Sequence, residues 1–115
     1  MRRWRALPWL LSAMLAVRYG PAFASSPLLQ GDIPGHLETM RWYAEHVWPL
    51  PWGWDPRWLL GTPVGILYPP LFHWLGGGLG KLVGVDAAMK LLVFVAVVAL
   101  PPALAAAARG FGLRA

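Results

Sequence analysis

The chain contains no cysteine and few charged residues. Without cysteine, a disulfide framework and any metal or redox centre built on thiolates are excluded. Charged residues make up 13% of the sequence, against roughly 25% in a typical soluble domain. Hydrophobic residues reach 57%, and they lie in long blocks rather than in short amphipathic periods. This composition indicates an integral membrane protein.

The sequence also lacks the dense basic stripe of a nucleic-acid-binding protein, although its net charge is +5. Arg2, Arg3 and Arg5 precede the first hydrophobic block, and the other basic residues are scattered. We therefore expect no nucleic-acid partner. Basic residues beside hydrophobic segments tend to stay in the cytoplasm, so the charge is interpreted as a topological signal.

Residues 1–24 form the first hydrophobic segment, for which two interpretations stay open. As a signal peptide, the segment has a basic start, an apolar stretch and a small-residue Ala22-Phe23-Ala24 cleavage sequence. As a first transmembrane helix, it places Arg18 within the span. A charged side chain at the centre of a span costs roughly 2.5–3.5 kcal/mol of insertion free energy. Both interpretations deliver the following residues to the extracytoplasmic side.

Residues 25–66 carry four of the five acidic residues and are rich in Trp, Pro and Gly. Asp32 as N-cap and Pro34 in the first turn predict an amphipathic helix that ends near Trp48, before Pro49. Tryptophan favours the level of the lipid headgroups, so membrane lipid is an expected partner. The segment is predicted to be an extracytoplasmic interfacial loop.

Two further hydrophobic segments follow. Residues 67–85 are predicted to form a second transmembrane or re-entrant helix, which is marginal because it contains five glycines and Lys81. Residues 86–109 are predicted to form a third transmembrane helix, with no charge between Lys90 and Arg109. The connection that carries Lys81, Asp86 and Lys90 is expected to be cytoplasmic. Residues 110–115 are interpreted as a truncated tail.

These segments predict an all-α membrane protein with about three hydrophobic helices and an amphipathic interfacial helix in the first extracytoplasmic loop. The expected location is the cytoplasmic (inner) membrane, as a multi-pass protein with residues 25–66 on the extracytoplasmic side.

The candidate chemistry lies in residues 31–36, Gly-Asp-Ile-Pro-Gly-His, where Asp32 and His36 stand four residues apart at the start of a helix. A carboxylate there can act as a general base toward a hydroxyl, share a divalent cation with phosphate oxygens, or simply cap the helix. Asp55 is a second candidate, for substrate binding, although an Asp-Pro turn beside Arg57 explains it as well. His46 and His73 are interpreted as isolated, and no histidine spacing predicts a metal site.

Three motifs follow one another along the chain, namely residues 31–36, residues 58–65 (Trp-Leu-Leu-Gly-Thr-Pro-Val-Gly) and residues 68–72 (Tyr-Pro-Pro-Leu-Phe). Their order resembles the N-terminal region of the type C glycosyltransferase superfamily, including the 6-pyruvoyl-tetrahydropterin synthase-related membrane proteins. The resemblance extends over about residues 32–113. It implies transfer of a sugar from a polyprenyl phosphate donor, with Asp32 as the essential acidic residue of the first extracytoplasmic loop and His36 as a secondary polar contact.

Enzymes of that superfamily have many more spans than this chain. The resemblance therefore implies an N-terminal fragment, inactive alone, that needs missing C-terminal spans or a partner subunit. No cofactor is identified, although a divalent cation is compatible with Asp32. The alternative is a small noncatalytic membrane protein that docks a partner or lipid through its Trp-rich surface segment.

Overall fold

The computed structural model describes residues 3–25, 31–57, 60–66 and 70–112. These residues are mostly helical, as predicted. Their elements are α1 (Arg3–Ser25), α2 (Ile33–Trp42), a π-helical turn (Tyr43–Val47), β1 (Gly53–Asp55), β2 (Thr62–Val64), α3 (Pro70–Val83) and α4 (Val85–Gly110). The chain divides into two units, the first comprising Met1–Ser26 with Val93–Ala115 and the second Pro27–Leu92.

The first unit contains α1 and most of α4. Ser12 Oγ donates a hydrogen bond to the Val98 carbonyl at 2.6 Å, and Phe23 packs edge-on against Phe94 with ring centroids 5.6 Å apart. Ser12 precedes Phe23 in α1, whereas its partner Val98 follows Phe94 in α4. The two helices are antiparallel within this unit.

Helix α4 is long and apolar enough to cross a membrane, and within the described residues it is the one helix that qualifies. Its 26 residues, at about 1.5 Å each, extend about 39 Å, against roughly 30 Å of hydrocarbon. Pro101 and Pro102 lie inside it. Helix α1 is comparable in length, but Arg18, Gly20 and Pro21 make its second half less apolar.

The amphipathic helix predicted after Asp32 is present as α2 and the π-helical turn, and it ends before Pro49 as expected. The capping role considered for Asp32 is not observed, because its side chain makes no capping hydrogen bond to the first turn. Its φ of −81° and ψ of −1° explain this, since an N-cap side chain usually needs the extended backbone conformation.

A short hairpin follows, which the all-α prediction did not include. β1 and β2 pair antiparallel in the register Gly53 with Val64, Trp54 with Pro63 and Asp55 with Thr62. Each strand has three residues, too few to show a period-two pattern in the sequence. The hairpin places the Asp55 side chain toward the protein interior.

Helix α3 packs against α2 and the π-helical turn through its glycines. A Cβ atom at Gly77 would approach Tyr43 Cβ to 2.9 Å and the Ala44 nitrogen to 3.1 Å. A Cβ atom at Gly76 would approach the buried side chain of Met40 still more closely. Small residues therefore allow the two backbones to approach closely.

The small core of the second unit consists of Leu37, Met40 and Met89, surrounded by partly buried hydrophobic side chains. Met89 belongs to the first turns of α4, which Gly84 separates from α3 at a positive φ of 86°. The core therefore joins three helices.

The connection that is predicted to be cytoplasmic contacts α2 and the π-helical turn. Lys81 Nζ donates a hydrogen bond to the Ala44 carbonyl at 2.8 Å, and Arg41 Nη2 donates one to Asp86 Oδ2 at 3.1 Å. The connection is therefore part of the second unit, and its cytoplasmic location stays a prediction.

Candidate functional site

Asp32 lies exposed at the beginning of α2. Its backbone carbonyl accepts a hydrogen bond from the His36 nitrogen at 3.1 Å, while its side chain makes no bond to the helix that follows. Since the carboxylate is exposed at the start of the helix, a hydroxyl group or a cation–phosphate pair can approach it.

His36 extends from α2 one turn after Asp32 and contacts His73 of α3. Their ring nitrogens, His36 Nδ1 and His73 Nε2, are 3.1 Å apart, and the ring planes differ by 29°. The interpretation of His73 as isolated was wrong. The two residues are 37 positions apart, and only the glycine-mediated approach of α3 to α2 brings them together.

The histidine pair is enclosed by aromatic rings. His73 is 4% exposed, with the Tyr43 ring 6.1 Å away at 20° and the Phe72 ring edge-on at 5.5 Å. Tyr43 is fully buried and donates its hydroxyl hydrogen to the Pro51 carbonyl at 3.1 Å, and burial raises the pKa of this phenol. The aromatic surroundings hold His73 in one orientation.

The hydrogen bond between the imidazoles requires one ring to donate and the other to accept. The contact therefore fixes the relative orientation of the two rings and links α2 to α3.

Asp32 is the residue at which the sequence is compatible with a divalent cation. Among residues 3–25, 31–57, 60–66 and 70–112, no group of three or more His, Asp or Glu side chains is placed to hold a metal ion. A cation at Asp32 would therefore need ligands from its substrate or from water, as Mg²⁺ often does.

Asp55 has a different environment, for its side chain is only 3% exposed and is bound by Arg57. Asp55 Oδ1 accepts hydrogen bonds from the backbone N (3.0 Å) and Nε (2.9 Å) of Arg57, and Oδ2 accepts one from Nη2 (2.7 Å). Hydrogen bonds from the Arg57 side chain hold the pKa of Asp55 below its usual value, although burial acts in the opposite direction. The geometry favours a turn-stabilising role over substrate binding.

Arg57 extends this ion pair into a network that the sequence did not reveal. Its Nη1 also bonds to Glu38 of α2, 19 residues away, and its guanidinium lies 4.3 Å from the ring centroid of Trp42. His46 stacks on the same indole at 3.8 Å. The Trp42 Nε1 atom is buried and has no hydrogen-bond partner among the described residues. The network joins the hairpin to α2.

An apolar depression of about 350 Å³ adjoins the hairpin. It is lined by Pro51, Trp52, Gly65, Ile66 and Pro70. Trp52 and Ile66 are more than half exposed, as is Trp54. The Trp-rich segment thus presents an exposed apolar surface.

The described part of the second unit therefore offers an exposed carboxylate, a histidine pair of which His73 is buried, and an arginine-bound aspartate. No family model matches the chain, and neither a curated protein nor a solved structure matches it.

Proposed function

We propose that this chain is the N-terminal portion of a glycosyltransferase-like membrane protein that transfers a sugar from a polyprenyl phosphate donor. The proposal rests on the resemblance of the ordered motifs, and one structural observation supports it. The Asp32 carboxylate is exposed at the start of α2 and is not used to cap that helix. A carboxylate that has no structural partner among the described residues is available for chemistry.

In this proposal, Asp32 accepts the proton of an acceptor hydroxyl while the acceptor oxygen replaces the phosphate at the anomeric carbon. If a divalent cation takes part, Asp32 instead shares it with the oxygens of the departing phosphate. His36, one turn further along α2, makes a secondary polar contact. The remaining donor and acceptor sites belong to further spans or to a partner subunit.

The proposed location is the cytoplasmic membrane, with α1 and α4 both inserted. α4 has the length and the composition of a span. Arg3 and Arg5 precede the apolar part of α1, as expected for an end that stays in the cytoplasm.

The test compares Asp32→Asn with Glu45→Gln in the native gene product, kept in its own membranes. Glu45 is a suitable control because its side chain is 66% exposed and its ion-pair contact, to His46, is 3.9 Å long. Transfer of radiolabelled sugar from a polyprenyl phosphate donor should fall by about 10²-fold or more for Asp32→Asn, the usual scale for loss of a general base. Glu45→Gln should retain full transfer.

Immunoblots of washed membranes should show equal amounts of both variants, which would separate lost chemistry from lost insertion. Unchanged transfer by Asp32→Asn would refute the assignment of Asp32.

A second candidate function is favoured by the exposed tryptophans. Trp48, Trp52 and Trp54 are all exposed on the segment that follows the π-helical turn. A small noncatalytic membrane protein could use this surface to dock lipid or a partner. In that case, Trp52→Ala should weaken binding to lipid or to the partner, while Asp32→Asn should leave this binding unchanged. The glycosyltransferase proposal predicts instead that Asp32→Asn has the large effect.

A further inference from the structure

Helix α3 has one apolar face that the second unit leaves exposed. Leu71, Leu75 and Leu82 are 63%, 42% and 82% exposed, and their spacing places them on one side of the helix. The buried residues of α3, His73, Gly76 and Gly77, lie on the opposite side, against α2 and the π-helical turn. We name the three leucines the leucine face.

Polar contacts fix α3 beside the chain segment that precedes the hairpin. In its first half, Trp74 Nε1 donates a hydrogen bond to the Pro49 carbonyl at 2.9 Å. In its last turn, Lys81 Nζ donates one to the Ala44 carbonyl at 2.8 Å. Both halves of α3 are therefore hydrogen-bonded to backbone carbonyls within residues 44–49.

The length of α3 also opposes a membrane crossing. Its 14 residues extend about 21 Å, whereas the hydrocarbon core is roughly 30 Å thick. Only Gly84 separates α3 from α4, and Asp86 in the first turn of α4 accepts a hydrogen bond from Arg41. The beginning of the apolar helix α4 is thus on the same side as α2.

We propose that α3 lies along the membrane interface on the same side as α2, with the leucine face among the lipid acyl chains. The occupant is a bilayer because only Gly84 lies between α3 and α4, the one described helix that qualifies as a span. An interfacial helix has this pattern, with one apolar face toward lipid and a polar or packed face away from it. The inference depends on insertion of α4 but not on sugar transfer.

This arrangement also removes a conflict in the charge pattern. If α3 crossed the membrane between α1 and α4, Arg109 would lie on the extracytoplasmic side, which opposes the preference of basic residues for the cytoplasm. With α3 at the interface, α4 carries Arg109 to the cytoplasmic side, where the basic start of α1 also belongs. The interfacial placement therefore agrees with the positive residues at both ends.

The cysteine-free sequence allows a direct test by single-cysteine labelling in intact cells that express the native gene product. Glu45→Cys reports the side of the π-helical turn, Ala87→Cys the first turn of α4, and Phe111→Cys the end of α4. All three positions are exposed. A membrane-impermeant maleimide should label Glu45→Cys and Ala87→Cys alike, and Phe111→Cys only after permeabilisation. Labelling of Phe111→Cys in intact cells, with Ala87→Cys labelled only after permeabilisation, would overturn the proposal, because α3 would then cross.

A second measurement tests contact of the leucine face with lipid. Leu75→Cys and Glu45→Cys, each carrying an environment-sensitive fluorophore, are reconstituted in vesicles of phosphatidylcholine and phosphatidylglycerol. Lipids with a shallow spin label should quench the probe at Leu75 at least twofold more than the probe at Glu45, and aqueous iodide should show the reverse order. Equal iodide quenching at the two positions would refute burial in lipid. Neither measurement involves sugar transfer, so failure here is distinct from failure of the Asp32 assignment.

Discussion

The start of α2 and the turn after β1 both place an aspartate close before a proline, yet the two carboxylates have opposite environments. Asp32 is exposed and makes no capping bond, whereas Asp55 is 3% exposed and receives three hydrogen bonds from Arg57. The difference follows from the neighbouring residues, because an arginine stands two positions after Asp55 and none stands near Asp32. A carboxylate that is bound by its own turn serves the fold, and one that is left open can serve a ligand.

The largest expected change in stability follows from Asp55→Asn. Removing one partner of a fully buried ion pair costs roughly 3–5 kcal/mol. Because the Arg57 side chain is 36% exposed, we expect a smaller loss in the free energy of unfolding, about 2–3 kcal/mol. Asp32→Asn should change it by less than about 0.5 kcal/mol, as for other surface substitutions. Denaturant unfolding in detergent micelles, followed by near-UV circular dichroism, measures both.

The pH dependence provides a control for this comparison. The pKa of Asp55 is lowered in the folded protein, so its contribution to stability is present above the unfolded value of 3.8 and is lost as pH falls toward the folded pKa. Asp55→Asn should remove that acid-dependent loss, while Asp32→Asn should retain it. Equal acid sensitivity of the wild type and Asp55→Asn would show that the ion pair with Arg57 contributes little.

The sequence predicted much of the course of the chain. Asp32 and Pro34 located the start of α2, Pro49 located its end, and the charge-free interval between Lys90 and Arg109 identified α4. These are local signals, in which a cap, a breaker or a long apolar run acts within a few residues of the feature that it specifies.

The remaining features depend on contacts between distant segments. His36 with His73 and Glu38 with Arg57 are 37 and 19 residues apart, and neither pair has a periodic pattern that predicts it. The apolar composition of residues 67–85 predicts a second transmembrane or re-entrant helix, but it does not reveal the hydrogen bonds of Lys81 and Trp74 to the Ala44 and Pro49 carbonyls. The candidate chemistry at Asp32 was visible in the sequence, whereas the environments that distinguish Asp32 from Asp55 were not.

The approach of α3 to α2 should be sensitive to a single methyl group. A Cβ at Gly77 would meet Tyr43 and the backbone of Ala44, so Gly77→Ala should lower the free energy of unfolding by about 1–2 kcal/mol. Gly35, near the start of α2, has open space where a Cβ would be, so Gly35→Ala should be neutral or stabilising by about 0.4–1 kcal/mol. Thermal unfolding of the two variants in the same detergent compares the packed and open regions. A Gly77→Ala protein as stable as Gly35→Ala would contradict the close packing.

The smallest expected effect belongs to the exposed ion pair at the other end of α2. Arg41 and Asp86 are in contact at 3.1 Å, but their side chains are 43% and 67% exposed, so water and salt screen the attraction. Arg41→Gln should therefore reduce the free energy of unfolding by only about 0.2–1 kcal/mol, and the difference should shrink further in high salt. Denaturant titrations at low and high ionic strength provide the measurement. A loss as large as that of Asp55→Asn would mean that the link between α2 and the first turn of α4 is protected from solvent, as it would be if lipid covered this contact as well as the leucine face.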